Sequence, residues 1–320
     1  MKISIILPLF DRRNAGWKAL ESAVGQAYPR DQYELVAVAG RGIDGGMDDP
    51  AVAALLARCD AVVRTDLDTD DVANEIQLFR AGYERSTGDV LFFMEGHTVL
   101  AGNALATIAG HFRRHPETEI AWAPRINDGG SPLGSLVSMH NLRHERRADA
   151  QGVFSLGATN VITRDLFERL GGFDARYLRF SETALFHRAR DEGIVIGRIG
   201  EPLATHYNDM SVTLWRQLVM TAGAAKFSYY NALIARGEDI RARVRHDVYL
   251  LANRDWTARL LFPLFRMAGR VFVVLAMRTS RISNAMAYRL YVVAIGCTDL
   301  SGFCLARVRA GRVEEPIEGA

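Results

Sequence analysis

Lysine is almost missing from this chain of 320 residues: 36 arginines stand against 3 lysines. So lopsided a ratio reflects coding bias, and arginine richness alone is therefore no sign of phosphate recognition. Cysteine is equally scarce. Cys59, Cys297 and Cys304 cannot all pair and have no metal-type spacing, which excludes a disulfide scaffold and favours a reducing compartment. No uninterrupted apolar run approaches the roughly 20 residues that a bilayer-crossing helix needs, so a spanning helix is not expected. The first apolar stretch, Ile3 to Leu7, is too short for a signal peptide and nothing suggests export, so a cytoplasmic location is expected. Disorder is excluded as well, because 49% of the residues are hydrophobic and 24% charged.

What is present centres on Gly88-Asp89-Val90-Leu91-Phe92-Phe93-Met94-Glu95-Gly96-His97. Five apolar residues in a row suit a strand buried on both faces, and the run stops at an acid, a glycine and an imidazole. In an open α/β sheet, ligands bind beyond the carboxyl ends of the strands. Glu95 and His97 would stand at that edge, able to turn toward one cation such as Mn²⁺ or Mg²⁺.

Around this stretch the order is strand, helix, strand. Ile3 to Leu7 forms the first strand, ended by Pro8, and Asn14 to Ala27 a helix carrying Trp17, Leu20, Ala23 and Val24 on one face. Tyr33 to Ala39 reads as a second strand emptying into the glycine-rich Gly40 to Gly46. A helix from Pro50 to Arg58 and a short strand from Ala61 to Arg64 follow. The acidic Asp66 to Asp71 is expected to be a loop capping a helix from Val72 to Arg85. Further on come a helix (Gly102 to His115), a strand (Ile120 to Pro124), and a basic excursion over 126 to 152 able to contact an acceptor. Gly157 to Thr163 reads as a strand, Arg164 to Leu170 as a helix stopped by Gly171-Gly172, Phe180 to Glu192 as a helix and Ile194 to Ile199 as a strand. The alternation gives the fold class: α/β, a mainly parallel sheet flanked by helices.

Four blocks in order make the chain resemble the family 2 glycosyltransferases of the GT-A fold. They are Leu7-Pro8-Leu9-Phe10-Asp11-Arg12, the Gly88-Asp89 strand ending in Glu95-Gly96-His97, the turn Gly171-Gly172-Phe173-Asp174 with Ser181-Glu182 and Leu185-X-X-Arg188 after it, and His206. The resemblance implies a GT-A catalytic domain over 1 to 212, with a donor-binding half (1 to 100) and an acceptor half (101 to 212). It implies a nucleotide-diphosphate sugar as donor, with a divalent cation, Mn²⁺ or Mg²⁺, bridging the diphosphate. Glu95, His97 and His206 take the metal-binding places, and Pro8, Phe10, Asp11, Ala39, Asn74, Glu95 and Arg216 the donor-binding ones. Glu182 falls where the family keeps its catalytic base, which would take a proton from the acceptor hydroxyl in an inverting displacement.

Three positions depart from the family pattern. His97 stands for an aspartate, Ser181 for the first of an acidic pair, and Ala39 for the acid that holds the nucleotide base. These departures keep a second reading open, a catalytically silent GT-A-like scaffold. A nucleotidyltransferase is disfavoured by Leu9-Phe10-Asp11-Arg12-Arg13, which lacks the glycine-rich loop that such enzymes place after strand one.

From 213 to 320 the chain reads as a basic, mainly helical extension. Between Arg241 and Arg289 ten arginines face only Asp247 and Asp255. Apolar segments such as Leu260 to Phe265 and Val271 to Met277 are broken by Arg266 and Arg270, a pattern suited to an anionic membrane surface. A peripheral position on the inner face of the cell membrane, with a saccharide or lipid-linked acceptor in polysaccharide synthesis, is the expectation; the alternative is a helical subdomain packed on the catalytic domain or on a second copy of the chain. Nucleic acid is not, because the aromatics form no binding module.

Overall fold

The computed structural model describes residues 1–9, 17–41, 47–68, 71–151, 160–240 and 248–314. These fall into two compact units, one of Met1–Asp174 with Glu182–Asp209, the other of Ala175–Ser181 with Met210–Ala320.

The first unit is built on a seven-stranded sheet. Its strands are β1 (Ile3–Pro8), β2 (Tyr33–Arg41), β3 (Ala61–Asp68), β4 (Val90–Phe93), β6 (Ile120–Trp122), β8 (Asn160–Thr163) and β9 (Ile196–Arg198), ordered β3-β2-β1-β4-β8-β6-β9. All neighbours are parallel except β8, which runs antiparallel to both β4 and β6. The chain works outward from β1 to β3 and then returns to lay β4 on the other side of β1. That reversal creates a topological switch point between β1 and β4, and their carboxyl ends open onto a crevice. Along β4 the side chains alternate between two cores: Val90, Phe92 and Met94 on one face, Leu91 and Phe93 on the other. The unbroken apolar run is thus explained by a strand with no solvent face.

Helices α1 (Lys18–Val24), α2 (Pro50–Leu56), α3 (Glu75–Tyr83), α4 (Ala104–Arg114), α5 (Pro132–Gln151), α6 (Arg164–Arg169) and α7 (Ser181–Asp191) complete the unit. A second sheet of three strands, ordered β5-β10-β7, comprises β5 (Thr98–Leu100), β7 (Arg125–Asp128) and β10 (Ala204–Tyr207).

Several sequence expectations are corrected here. Asp66 and Asp68 lie in β3 rather than in a capping loop, and α3 starts only at Glu75. Alternating exposure along β3 lets an edge strand carry acids on its wet side. The excursion over 126 to 152 is instead β7 followed by the 20-residue α5. The three short strands of the second sheet were hidden because runs of three or four residues carry almost no periodic signal. Phe10, Asp11 and the stretch Gly42 to Gly46 lie outside the described residues.

The amino edge of the main sheet is pinned by one carboxylate. Glu34 on β2 accepts from Lys2 Nζ (2.7 Å), Ser4 Oγ (2.6 Å), Thr87 Oγ1 (2.8 Å), the Gly88 amide (3.0 Å) and the Thr87 amide. Burial pushes this carboxyl up, but hydrogen bonds from Lys2, Ser4 and Thr87 outweigh it and bring it down to about 2. Gly88 has to be glycine because a Cβ there would meet Ser4 Oγ at 2.5 Å and the Lys2 carbonyl at 2.8 Å. Asp89 accepts the Lys2 amide at 2.7 Å. The Gly88-Asp89 pair is therefore a joint between β1, β2 and β4.

The second unit is helical: α8 (Val212–Ala235), α9 (Val248–Ala252), α10 (Asp255–Thr279) and α11 (Asn284–Glu314). The four residues between α10 and α11 make them antiparallel neighbours. A partly buried ion pair joins α8 to α11, Lys226 Nζ to Asp299 Oδ1 at 2.7 Å, and the Tyr249 hydroxyl of α9 donates to the other oxygen of Asp299. By length and composition alone, α10 and the Asn284–Ala310 part of α11 are long and apolar enough to cross a membrane. Counting uninterrupted runs missed them, because Arg266 and Arg270 break the run without ending the helix.

Candidate functional site

Strand β4 leaves the sheet at Met94, whose amide still bonds to the Ile6 carbonyl at 3.0 Å. The next four residues form a reverse turn closed by the Thr98 amide on the Glu95 carbonyl, also at 3.0 Å. Glu95 and His97 occupy its first and third positions, and β5 follows at once. β10 pairs antiparallel with β5 and sets His206 opposite Thr98, while the Tyr207 amide bonds to the His97 carbonyl at 3.2 Å. Residues more than a hundred positions apart are thereby locked side by side.

Their side chains converge. His97 Nε2 lies 2.8 Å from His206 Nε2, and Glu95 Oε2 lies 3.0 Å from His206 Nε2 and 3.2 Å from His97 Nε2. The rings meet edge to face, with centroids 4.4 Å apart. Both imidazoles are buried and Glu95 is 9% exposed. Two ring nitrogens cannot face each other at 2.8 Å as bare lone pairs; a proton or a cation has to lie between them. Neighbouring ligands on an octahedral ion at about 2.1 Å are about 3.0 Å apart, so the three spacings match one face of such an ion. Two neutral imidazoles and a carboxylate are ligands that first-row divalent metals accept readily. The donor set fits a divalent cation.

Polar side chains from α5 hold β10 in place. Asn208, fully buried, donates to Ser138 Oγ at 2.9 Å and to Asn127 Oδ1 at 3.3 Å, and it accepts from Asn141 at 3.1 Å. Asp209 accepts the Gly130 and Ser131 amides ahead of α5 at 2.9 and 2.8 Å. Sequence reasoning missed this support, whose one signal was the Asn208-Asp209 pair two residues beyond His206.

Glu182 stands in the first turn of α7, half-buried. Because α7 feeds β9, and β9 runs in the same direction as β4, α7 has to begin at the carboxyl edge of the sheet, the edge that carries Glu95 and His97. The glycine pair before it takes positive φ, 76° at Gly171 and 62° at Gly172, and Arg188 of α7 donates to the Gly172 carbonyl. Leu185 is 1% exposed in the same core as Phe93, Phe167 and Phe173. The glycine turn and the Leu185-X-X-Arg188 pattern are thus two halves of one clamp that holds the C-terminal half of α7, the half that leads into β9.

The remaining expected residues divide. Pro8 ends β1 and Ala39 lies near the end of β2, so both stand at the carboxyl edge; Ala39 is 2% exposed and brings no acid. Asn74 precedes α3, and its side chain donates to the Asp68 carbonyl at 3.0 Å. Arg216 belongs to the second unit, where Arg266 and Arg270 are its charged neighbours. A cavity of about 290 Å³ lined by Tyr83, Glu168 and Phe173, among others, shares no residue with the Glu95-His97-His206 cluster. It sits by the end of α3 that leads into β4, away from the carboxyl edge.

No family model matches the chain, and no curated protein matches it by sequence. Solved structures do match. The mannosyltransferase PcManGT from Pyrobaculum calidifontis, in complex with GDP-Man and Mn²⁺, is 14% identical with a TM-score of 0.58, over 98% of this chain and 88% of that one. S. aureus TarS 1-349 is 11% identical with a TM-score of 0.51, over 99% of this chain and 93% of that one. The same TarS segment in complex with UDP-GlcNAc, 12% identical, has a TM-score of 0.50. The fold is that of these glycosyltransferases. This fold accounts for the mainly parallel sheet, for the helices on both its faces, and for the helices that follow it in the chain.

Proposed function

We propose that the chain transfers a sugar from a nucleotide-diphosphate donor to an acceptor hydroxyl with inversion at the anomeric carbon. The observation that carries this reading is the meeting of Glu95, His97 and His206 at the carboxyl edge, beside the switch point of a sheet whose structural neighbours are held with GDP-Man and Mn²⁺ or with UDP-GlcNAc. A divalent cation held by the three side chains would set positive charge against the departing diphosphate.

The chain's own groups do the rest. Pro8 and Ala39 border the crevice where the donor nucleotide would lie, with Phe10, Asp11 and Asn74 as further donor contacts. Glu182 accepts the proton of the acceptor hydroxyl as its oxygen attacks the anomeric carbon and the bond to the diphosphate breaks. Of Mn²⁺ and Mg²⁺, two imidazoles would favour Mn²⁺, since Mg²⁺ prefers oxygen ligands. The acceptor is a saccharide or a lipid-linked glycan of the cell envelope, met at the cytoplasmic membrane surface.

A silent scaffold is the rival reading, favoured by the lack of an acid at Ala39 and at Ser181. Incubation of UDP- and GDP-linked sugars with Mn²⁺ separates the two. The transferase reading expects release of nucleoside diphosphate, lowered about 100-fold or more in Glu182→Gln, with an unchanged thermal shift on adding Mn²⁺ and the diphosphate. No release and no thermal shift with any nucleotide would leave the scaffold.

A further inference from the structure

Helix α10 leaves an apolar face uncovered. Trp256, Leu260, Leu264, Met267, Val271 and Val274 follow one another at steps of four or three, so they form a single stripe about 27 Å long. Trp256 is 66% exposed, Met267 62% and Leu260 58%. Within the apolar stretch of α10 only 17% is buried, against 56% in α11. The stripe exposes on the order of 600 Å², the upper end of the largest apolar patch on a single soluble chain, a size that is often functional. It needs an occupant.

Charge identifies that occupant. Arg259, Arg266 and Arg270, spaced seven and four apart, make a second row along one flank of the stripe. Arg259 is paired with Asp255 at 2.6 Å. Arg266 lies over the Phe262 ring at 5.7 Å, and among the described residues neither it nor Arg270 pairs with a carboxylate. Arg216 of α8 adds a third guanidinium; burial and then the charges of Arg270 and Arg266 push its pKa down. From Val248 to Ala310 there are nine arginines and two aspartates, and both aspartates are already engaged, Asp255 with Arg259 and Asp299 with Lys226.

A second copy on this face would bring two arginine rows together with no acid between them. Spanning would put Arg266 and Arg270 near the middle of a bilayer, among the costliest places for a charge. A leaflet carrying negative headgroups satisfies both rows at once, with acyl chains under the stripe and phosphates along its edge.

We propose that α10 lies flat in an anionic membrane surface, its Trp256-to-Val274 stripe inserted and Arg266 and Arg270 on lipid phosphate. This deepens the reading that puts the acceptor at a membrane, yet it can fail while sugar transfer stands. The full chain is mixed with vesicles of phosphatidylcholine alone or with a third phosphatidylglycerol, and flotation and the emission of Trp256 are followed, with Trp256→Phe as the control for the other tryptophans. The expected result is flotation with the anionic vesicles only, a blue shift lost in Trp256→Phe, and binding weakened at least tenfold in Leu264→Asp/Met267→Asp and in Arg266→Glu/Arg270→Glu. Those four sites are exposed, so thermal melts of the variants should match the parent and nucleoside diphosphate release should stay the same. Equal flotation with neutral vesicles, parent-like flotation of either double variant, or resistance of the bound chain to alkaline extraction would overturn the proposal. So would a lipid-free dimer that Leu264→Asp dissolves.

Discussion

Two histidines where a carboxylate would be the simpler choice change what the metal position can select. An imidazole nitrogen keeps a lone pair but gives up a negative charge, which weakens attraction for hard Mg²⁺ more than for Mn²⁺. His97→Asp should therefore narrow the preference. Followed by the thermal shift each ion produces without nucleotide, the parent should respond to Mn²⁺ at concentrations about tenfold or more below those needed for Mg²⁺, and His97→Asp should bring the two closer. Equal response of the parent to both ions would remove the ligand argument. At this scale the sequence was legible where a residue type is rare and its neighbours are telling: Glu95-X-His97 at the end of an apolar run could be read as a ligand pair. His206 became its partner through the family resemblance. Nothing in the local sequence names it, because the pairing is made by β10 against β5, whose register puts His206 opposite Thr98. Asn127 and Asn141, the partners of Asn208, were invisible for the same reason, being scattered along the chain and joined to it only by the fold.

Strands and helices were legible in proportion to their length and to how one-sided they are. β1, β2 and β4 announce themselves as β-branched and aromatic runs, whereas α5 reads as a polar excursion because its buried apolar residues, Leu133, Leu136 and Val137, crowd into its first two turns. The Gly88-Asp89 pair illustrates a motif whose meaning was structural. It seats the start of β4 against Glu34 and Lys2, and the chemistry lies at the other end of the strand. That joint has a pH signature. The Glu34 carboxyl sits at about 2 when folded, against an ordinary value near 4.5, so its stabilisation is fully present above about pH 4.5 and is lost as the pH falls through the folded value. The difference corresponds to on the order of 3 kcal/mol. Denaturant melts of the parent and of Glu34→Gln should therefore lie about that far apart at pH 7 and draw together between pH 4.5 and 2. A gap that stays constant across this range would mean that the carboxylate charge is not what holds the three strands.

Across the whole chain, net charge and charge distribution lead to opposite expectations. The formal charge is only +2 at pH 7 and the isoelectric point is near 8.5, so by its total the protein should avoid anionic surfaces at pH 9. The excess of arginine is concentrated in the helical unit, however, and guanidinium groups stay protonated well beyond that pH. Attraction acts over about one Debye length, roughly 8 to 10 Å in ordinary buffers, so a vesicle senses the row on α10 and hardly senses acids elsewhere in the chain. Binding to vesicles containing phosphatidylglycerol should accordingly persist at pH 9 and fall as salt is raised from about 0.1 M to 1 M, where the screening length shrinks to about 3 Å. Release at pH 9 in low salt would mean that total charge governs the interaction and that the arginine row has no local role. Binding indifferent to salt would assign the contact to the apolar stripe alone, leaving Arg266 and Arg270 without the headgroup partners assigned to them.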